Sequence, residues 1–152
     1  MGVPLMGRGR GGYTEKQTGY KDSGGIKVTD KGAIWVAERY IEAGYESVFR
    51  QRHDPETSCD LTIKTSDDKQ IIKNIEVKQI TSQNPSKIAT HIKEANEQIS
   101  TGDTIALYFP HKTSSAESIS FVEKGIAEAR RKNYIRGPVE VWFANKQKKT
   151  YR

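Results

Sequence analysis

Three residues combine types and spacing that could do chemistry together: Asp60, Glu76 and Lys78. Glu76-Val77-Lys78 lies inside Ile71 to Ile80, the longest β-like run of the chain and rich in Ile and Val. Side chains alternate faces along a strand, so Glu76 and Lys78 share one face while Val77 joins Ile75 on the other. Asp60 opens a second alternating run, Asp60 to Thr65, with Leu61 and Ile63 opposite Asp60, Thr62 and Lys64. A hairpin through Ser66-Asp67-Asp68 would set Asp60 beside Glu76 on the shared face.

Hydrolysis of a phosphodiester demands such a set. The substrate is anionic and repels a nucleophile; a divalent metal neutralises that charge and polarises the phosphoryl oxygen. Two hard carboxylates, Asp60 and Glu76, suit a hard cation such as Mg²⁺, which keeps part of its water shell. Lys78 would orient or deprotonate the attacking water and stabilise developing charge. A same-face Glu/Lys pair on a strand also occurs as a plain solvated charge pair. What favours a site is context: an Ile-rich strand, an acidic opening on its partner, and a helix crossing to a buried strand.

The elements that must position these residues follow from periodicity. A helix is expected from Thr29 to Ala43, with Ala33, Ile34, Ala37 and Ile41 on one face and Gly44 as its stop. Ser47 to Gln51 reads as a short strand ahead of the two runs above. A helix from Pro85-Ser86 to Ser100 carries Ile88, Ile92, Ala95 and Ile99 on one face. The apolar run Thr104 to Pro110 reads as a buried strand. Ala116 to Asn133 reads as a helix, and Val139 to Asn145 as a last strand. The order α, β, β, β, α, β, α, β predicts an α/β fold, a mixed central sheet flanked by helices.

Composition bounds the function. The 152 residues suffice for one domain, with 34% hydrophobic residues, a net charge of +6 and a pI of about 9.4. That balance favours an anionic partner, nucleic acid first and an anionic membrane surface next. Residues 1–27 carry net +3 and residues 126–152 net +6, leaving −3 for the middle of the chain, where the candidate chemistry sits. Eight of the thirteen glycines fall in residues 1–27, which read as a basic, flexible lead-in to a domain at 28–152. Cys59 is the only cysteine, so neither an internal disulfide nor a Cys-rich zinc site can form. No run approaches the ~20 apolar residues that span a bilayer.

The opening Cys59-Asp60, the motif Glu76-Val77-Lys78 and the element order resemble the PD-(D/E)-x-K nuclease superfamily, with Cys59 where the motif name has Pro. The resemblance implies a restriction-endonuclease-like core (αβββαβ) with an extra C-terminal helix and strand. It implies Asp60 and Glu76 as metal ligands and Lys78 serving the nucleophile. Gln79 takes a position that in some members places the scissile phosphate. The superfamily commonly adds a Glu on the first helix. Lys31 to Ile34 hold no acid, so Glu38 is the nearest substitute and Glu42 the next.

Four stretches resemble toxin nuclease domains at the C-terminus of CdiA-type proteins, used in contact-dependent growth inhibition. They are Ala37 through Gly44-Tyr45, Ile75 to Gln79, Ile92 to Gln98 and Thr104 to Tyr108. This likeness implies a catalytic unit delivered as part of a larger bacterial protein and acting in the cytoplasm of a target cell. It also implies a cognate immunity protein, and tRNA as substrate ahead of DNA.

Further candidates surround the centre. Lys87 and His91 lie one turn apart on a helix face that could touch a phosphate backbone or simply be solvated. Arg130, Arg131, Lys146, Lys148 and Lys149 would contact backbone without reading sequence. His53 and Asp54 stand in the loop before Asp60, and Tyr13, Tyr20 and Tyr151 could stack on bases. A reading from another class is a nucleic-acid-binding module without catalysis, with Glu76 and Lys78 as a surface pair. A protein- or lipid-directed toxin finds little support, because His53, His91 and His111 are widely spread and no nucleophile–His pair stands out.

Overall fold

Ala33, Val36, Ala37 and Tyr40 recur at helical spacing, and all four are buried along helix α1, Lys31–Glu42. The helix stops where the chain needs a left-handed residue: Gly44 has φ +104°, and its N–H donates to the Ile41 carbonyl. The computed structural model describes residues 21–22, 31–50 and 59–152. It divides into two units, Met1–Ile75 and Glu76–Arg152.

The first unit holds α1 with strands β1 (Lys21–Asp22), β2 (Ser47–Arg50), β3 (Leu61–Lys64) and the first part of β4 (Ile71–Gln79). β1 pairs parallel with β2, while β2 with β3 and β3 with β4 are antiparallel, so pairing is mixed. Val48 faces Ile63 and Leu61 faces Ile75, and all four are fully buried. The β3–β4 hairpin turns as expected at Ser66-Asp67-Asp68. The Thr65 hydroxyl donates to Asp67 Oδ1 at 2.6 Å, the Lys69 N–H donates to the same oxygen, and Asp68 takes φ 64°. The Ser47 hydroxyl donates to the Asp68 carboxylate and ties β2 to this turn.

The second unit holds the rest of β4, then α2 (Ser86–Ala95), β5 (Thr104–Phe109), α3 (Ala116–Arg131), β6 (Val139–Phe143) and β7 (Lys148–Tyr151). β5 and β6 run parallel across the α3 connection, and β6 and β7 are antiparallel. The Ile80 N–H donates to the Tyr108 carbonyl at 2.8 Å, joining the end of β4 to β5. Ile88, Ile92, Val122 and Ile126 of the helices meet Ile105, Leu107, Phe109, Val141 and Phe143 in one core. Ser115 caps α3, its hydroxyl accepting from the Ser118 N–H at 3.2 Å.

The expected α/β class, with mixed strands and flanking helices, is what the chain forms. Three details differ. α2 ends at Ala95 rather than Ser100, because residues 96–98 turn and the Asn96 side-chain amide donates to the Tyr134 carbonyl at 2.7 Å. β7 was not expected: Lys148, Lys149 and Thr150 are exposed, and only Tyr151 is buried. Nor was β1, which lies in the glycine-rich lead-in; the rest of residues 1–27 lies outside the described residues. No helix among the described residues is long and apolar enough to cross a membrane.

Candidate active site

β4 carries the centre of the candidate site. Both of its faces are buried at the middle: Ile75 and Val77 on one, Glu76 on the other. Glu76 is only 4% exposed, so this Glu-x-Lys is not a solvated pair on an open face. Lys78, half-buried, brings Nζ to 3.8 Å from Glu76 Oε2. A carboxylate taken from water gains from a nearby cation that offsets part of its desolvation. Gln79 is exposed and, one residue beyond Lys78, points to the opposite face.

α2 supplies the neighbours of this pair within the second unit. His91 lies half-buried on α2, with Nδ1 3.5 Å from Glu94 Oε1. Burial holds its imidazole below the ordinary histidine range; Glu94 acts the other way, and the positive charges of Lys78 and Lys87 push it further down. His91 is therefore neutral near pH 7, and Lys78 and Lys87 both lie close enough to act on it. Lys87 is exposed. The sequence reading missed Glu94, although its spacing of three from His91 on a helix was the signal.

Arg130 and Arg131 are exposed in the last turn of α3, where Arg130 donates to the Arg152 carbonyl at 3.0 Å. Neither has a described contact with Glu76 or Lys78. Lys149 pairs with Glu123 at 3.8 Å, and Lys148 lies over the Trp142 ring. Trp142 in turn donates from Nε1 to Glu140, a second buried acid on a strand of this unit.

Asp60 and Glu38 belong to the first unit. Asp60 is 2% exposed, and its backbone N–H donates to the carbonyl of Ile75, the residue that precedes Glu76 in the chain. On the following positions, the Thr62 hydroxyl donates to Asn74 Oδ1 at 2.8 Å. Glu38 sits beside Arg39 at 3.5 Å, as does Glu42 at 3.2 Å, while the Arg39 guanidinium stacks on Trp35. The described role of Glu38 is thus an ion pair on its own helix. His53 and Asp54 lie outside the described residues.

Among the described residues, no three His, Cys, Asp or Glu side chains are gathered to form a metal site. The donor types nonetheless suit a hard cation, since Mg²⁺ keeps most of its water and needs only one or two carboxylates from the protein. No family model matches the chain, and neither a curated protein nor a solved structure does.

Proposed function

We propose that this chain is a divalent-metal-dependent nuclease whose centre is Asp60, Glu76 and Lys78. The observation that carries the reading is Glu76: a buried carboxylate in the middle of a strand, paired at 3.8 Å with Lys78. Burying a carboxylate is costly, and a fold that does so beside a partly exposed ammonium has an arrangement suited to chemistry on an anion. Asp60 and Glu76 would hold Mg²⁺, which when bound supplies charge neutralisation at the phosphate. Lys78 would orient the attacking water and stabilise charge on the phosphoryl oxygens. Gln79 and Glu38 are left as secondary candidates, Gln79 for placing the phosphate and Glu38 for a further acid. The net charge of +6 would draw the anionic substrate.

Within this reading the substrate is tRNA ahead of DNA. The chain is the catalytic part of a bacterial toxin delivered to a target cell and held inactive at home by an immunity protein. These finer statements rest on likeness to CdiA-type toxin domains.

The test is incubation of the purified chain with tRNA and with plasmid, in Mg²⁺ and then in EDTA. Cleavage of tRNA that stops with EDTA is expected. Cleavage of plasmid alone would move the substrate to DNA. Intact substrates in every condition would sink the enzyme and leave a binding module.

A further inference from the structure

Lys87 and His91 project from α2 one turn apart, and Lys78 of β4 lies close enough for its charge, like that of Lys87, to bear on the His91 ring. Among the described residues, Glu94 is the only acid whose charge acts on this ring, and it faces the Nδ1 side at 3.5 Å. Nδ1 is shielded from solvent. The ring is still partly exposed, 30% for the side chain, so its open part lies away from Nδ1. Two ammonium charges that bear on an imidazole with one open edge favour an anion at that edge. α2 also has no acidic residue in its first turn, where Lys87 sits. Lys78 already has Glu76; Lys87 has no ion pair among the described residues.

We propose that Lys87 and His91, with Lys78 at their inner edge, form a second anion subsite that grips the backbone phosphate next to the one processed at Glu76 and Lys78. This rests on the nuclease reading for its purpose, though not for its existence. A chain that holds two successive phosphates fixes the direction of the strand across the centre. It does so without reading bases, which suits a substrate recognised by backbone and shape. The open edge of the imidazole meets one phosphate oxygen, and Lys87 meets another as a point charge.

The experiment has two arms on the full chain. In the first, sulfate is titrated in EDTA at constant ionic strength while the His91 ring signals are followed by NMR. Sulfate stays dianionic throughout, so any proton taken up belongs to the protein. A saturable shift of His91 is expected, with affinity weakened about fivefold or more in Lys87→Ala and unchanged in Lys93→Ala, whose ammonium lies over the Tyr134 ring instead. His91 signals that ignore sulfate, or a Lys87→Ala protein that binds it like the wild type, would overturn the subsite.

In the second arm, RNA cleavage by Lys87→Ala and His91→Gln is measured. KM should rise about fivefold or more with kcat within about twofold, and the salt dependence of binding should lose about one phosphate contact in Lys87→Ala. Unchanged KM in both variants would also reject the subsite. Sulfate binding at His91 with no cleavage of any nucleic acid would instead reject the nuclease reading and leave the anion site standing. Cleavage by a protein whose His91 ignores sulfate would do the reverse.

Discussion

Lys78 Nζ lies 3.8 Å from Glu76 Oε2, and the two side chains rise from the same face of β4 with Val77 buried beneath them on the other. The distance exceeds that of a tight hydrogen bond, so the pair is held by charge rather than locked. An ammonium placed in this way is free to serve a phosphate or a water as well as its carboxylate. Replacing Lys78 by Met keeps the length of the side chain and removes only the charge. Cleavage should fall about 100-fold or more, with the far-ultraviolet circular dichroism unchanged. A Lys78→Met protein that cuts at the wild-type rate would show the ammonium to be a bystander.

Close helix packing makes a second position sensitive. A Cβ built on Gly125 of α3 would stand 2.5 Å from the Ile88 Cβ and 2.7 Å from the Pro85 carbonyl. Ile88 is fully buried and Pro85 contributes backbone, so neither yields cheaply. Gly125→Ala should destabilise the second unit by about 1–3 kcal/mol despite its better helix propensity. Urea unfolding would read this as a lower midpoint; a higher one would mean that α2 and α3 separate freely.

One buried aromatic side chain helps tie β7 to α3. The Tyr151 hydroxyl donates to Glu123 Oε2 at 3.1 Å, and burial together with that carboxylate pushes the phenol well above its ordinary range. Tyr151→Phe should cost about 1 kcal/mol, the usual worth of one such hydrogen bond. Wild-type Tyr151 should also stay protonated in a spectrophotometric titration at pH values where the exposed tyrosines ionise. Loss of its phenol proton together with theirs would contradict the contact.

His91 gives the second unit an acid sensitivity of defined sign. Its folded-state value lies below the ordinary 6.5, with burial the leading cause and the charges of Lys78 and Lys87 adding to it. As pH falls through 6.5 the unfolded chain takes up the proton first, so stability is lost progressively until the folded value is also passed. Between about pH 7.5 and about pH 5, wild-type protein should therefore lose more stability than His91→Gln. Parallel losses in the two proteins would mean that the ring is not disfavoured from charging.

Most of the framework was legible because apolar periodicity is strong wherever an element buries one face. Ala33 and Ala37 marked α1, although Val36 and Tyr40 rather than the expected Ile34 and Ile41 complete its buried face, and Ile88, Ile92 and Ala95 marked α2. β7 escaped because a Lys-Lys-Thr edge strand carries no alternation, and the pairing of Glu140 with Thr150 is a tertiary fact. The end of α2 was overrun because Ile99 keeps the helical spacing; it packs against the same core from beyond the helix.

In the candidate site, the facing of Glu76 and Lys78 followed from strand alternation alone. The depth of Glu76 did not, since alternation says which residues share a face and not whether that face is covered. The Glu38–Arg39 pair was equally hidden: an acid on a helix looks the same in sequence whether it serves a site or a neighbouring arginine.

The most direct measurement of the central claim is metal-dependent cleavage by Glu76→Gln beside the wild type, on the same tRNA and plasmid in Mg²⁺, with urea unfolding to confirm that the variant folds. Gln keeps the shape of the side chain and removes the charge that would hold the cation. The account predicts a folded protein that no longer cuts either substrate. A folded Glu76→Gln protein cutting at the wild-type rate would contradict it.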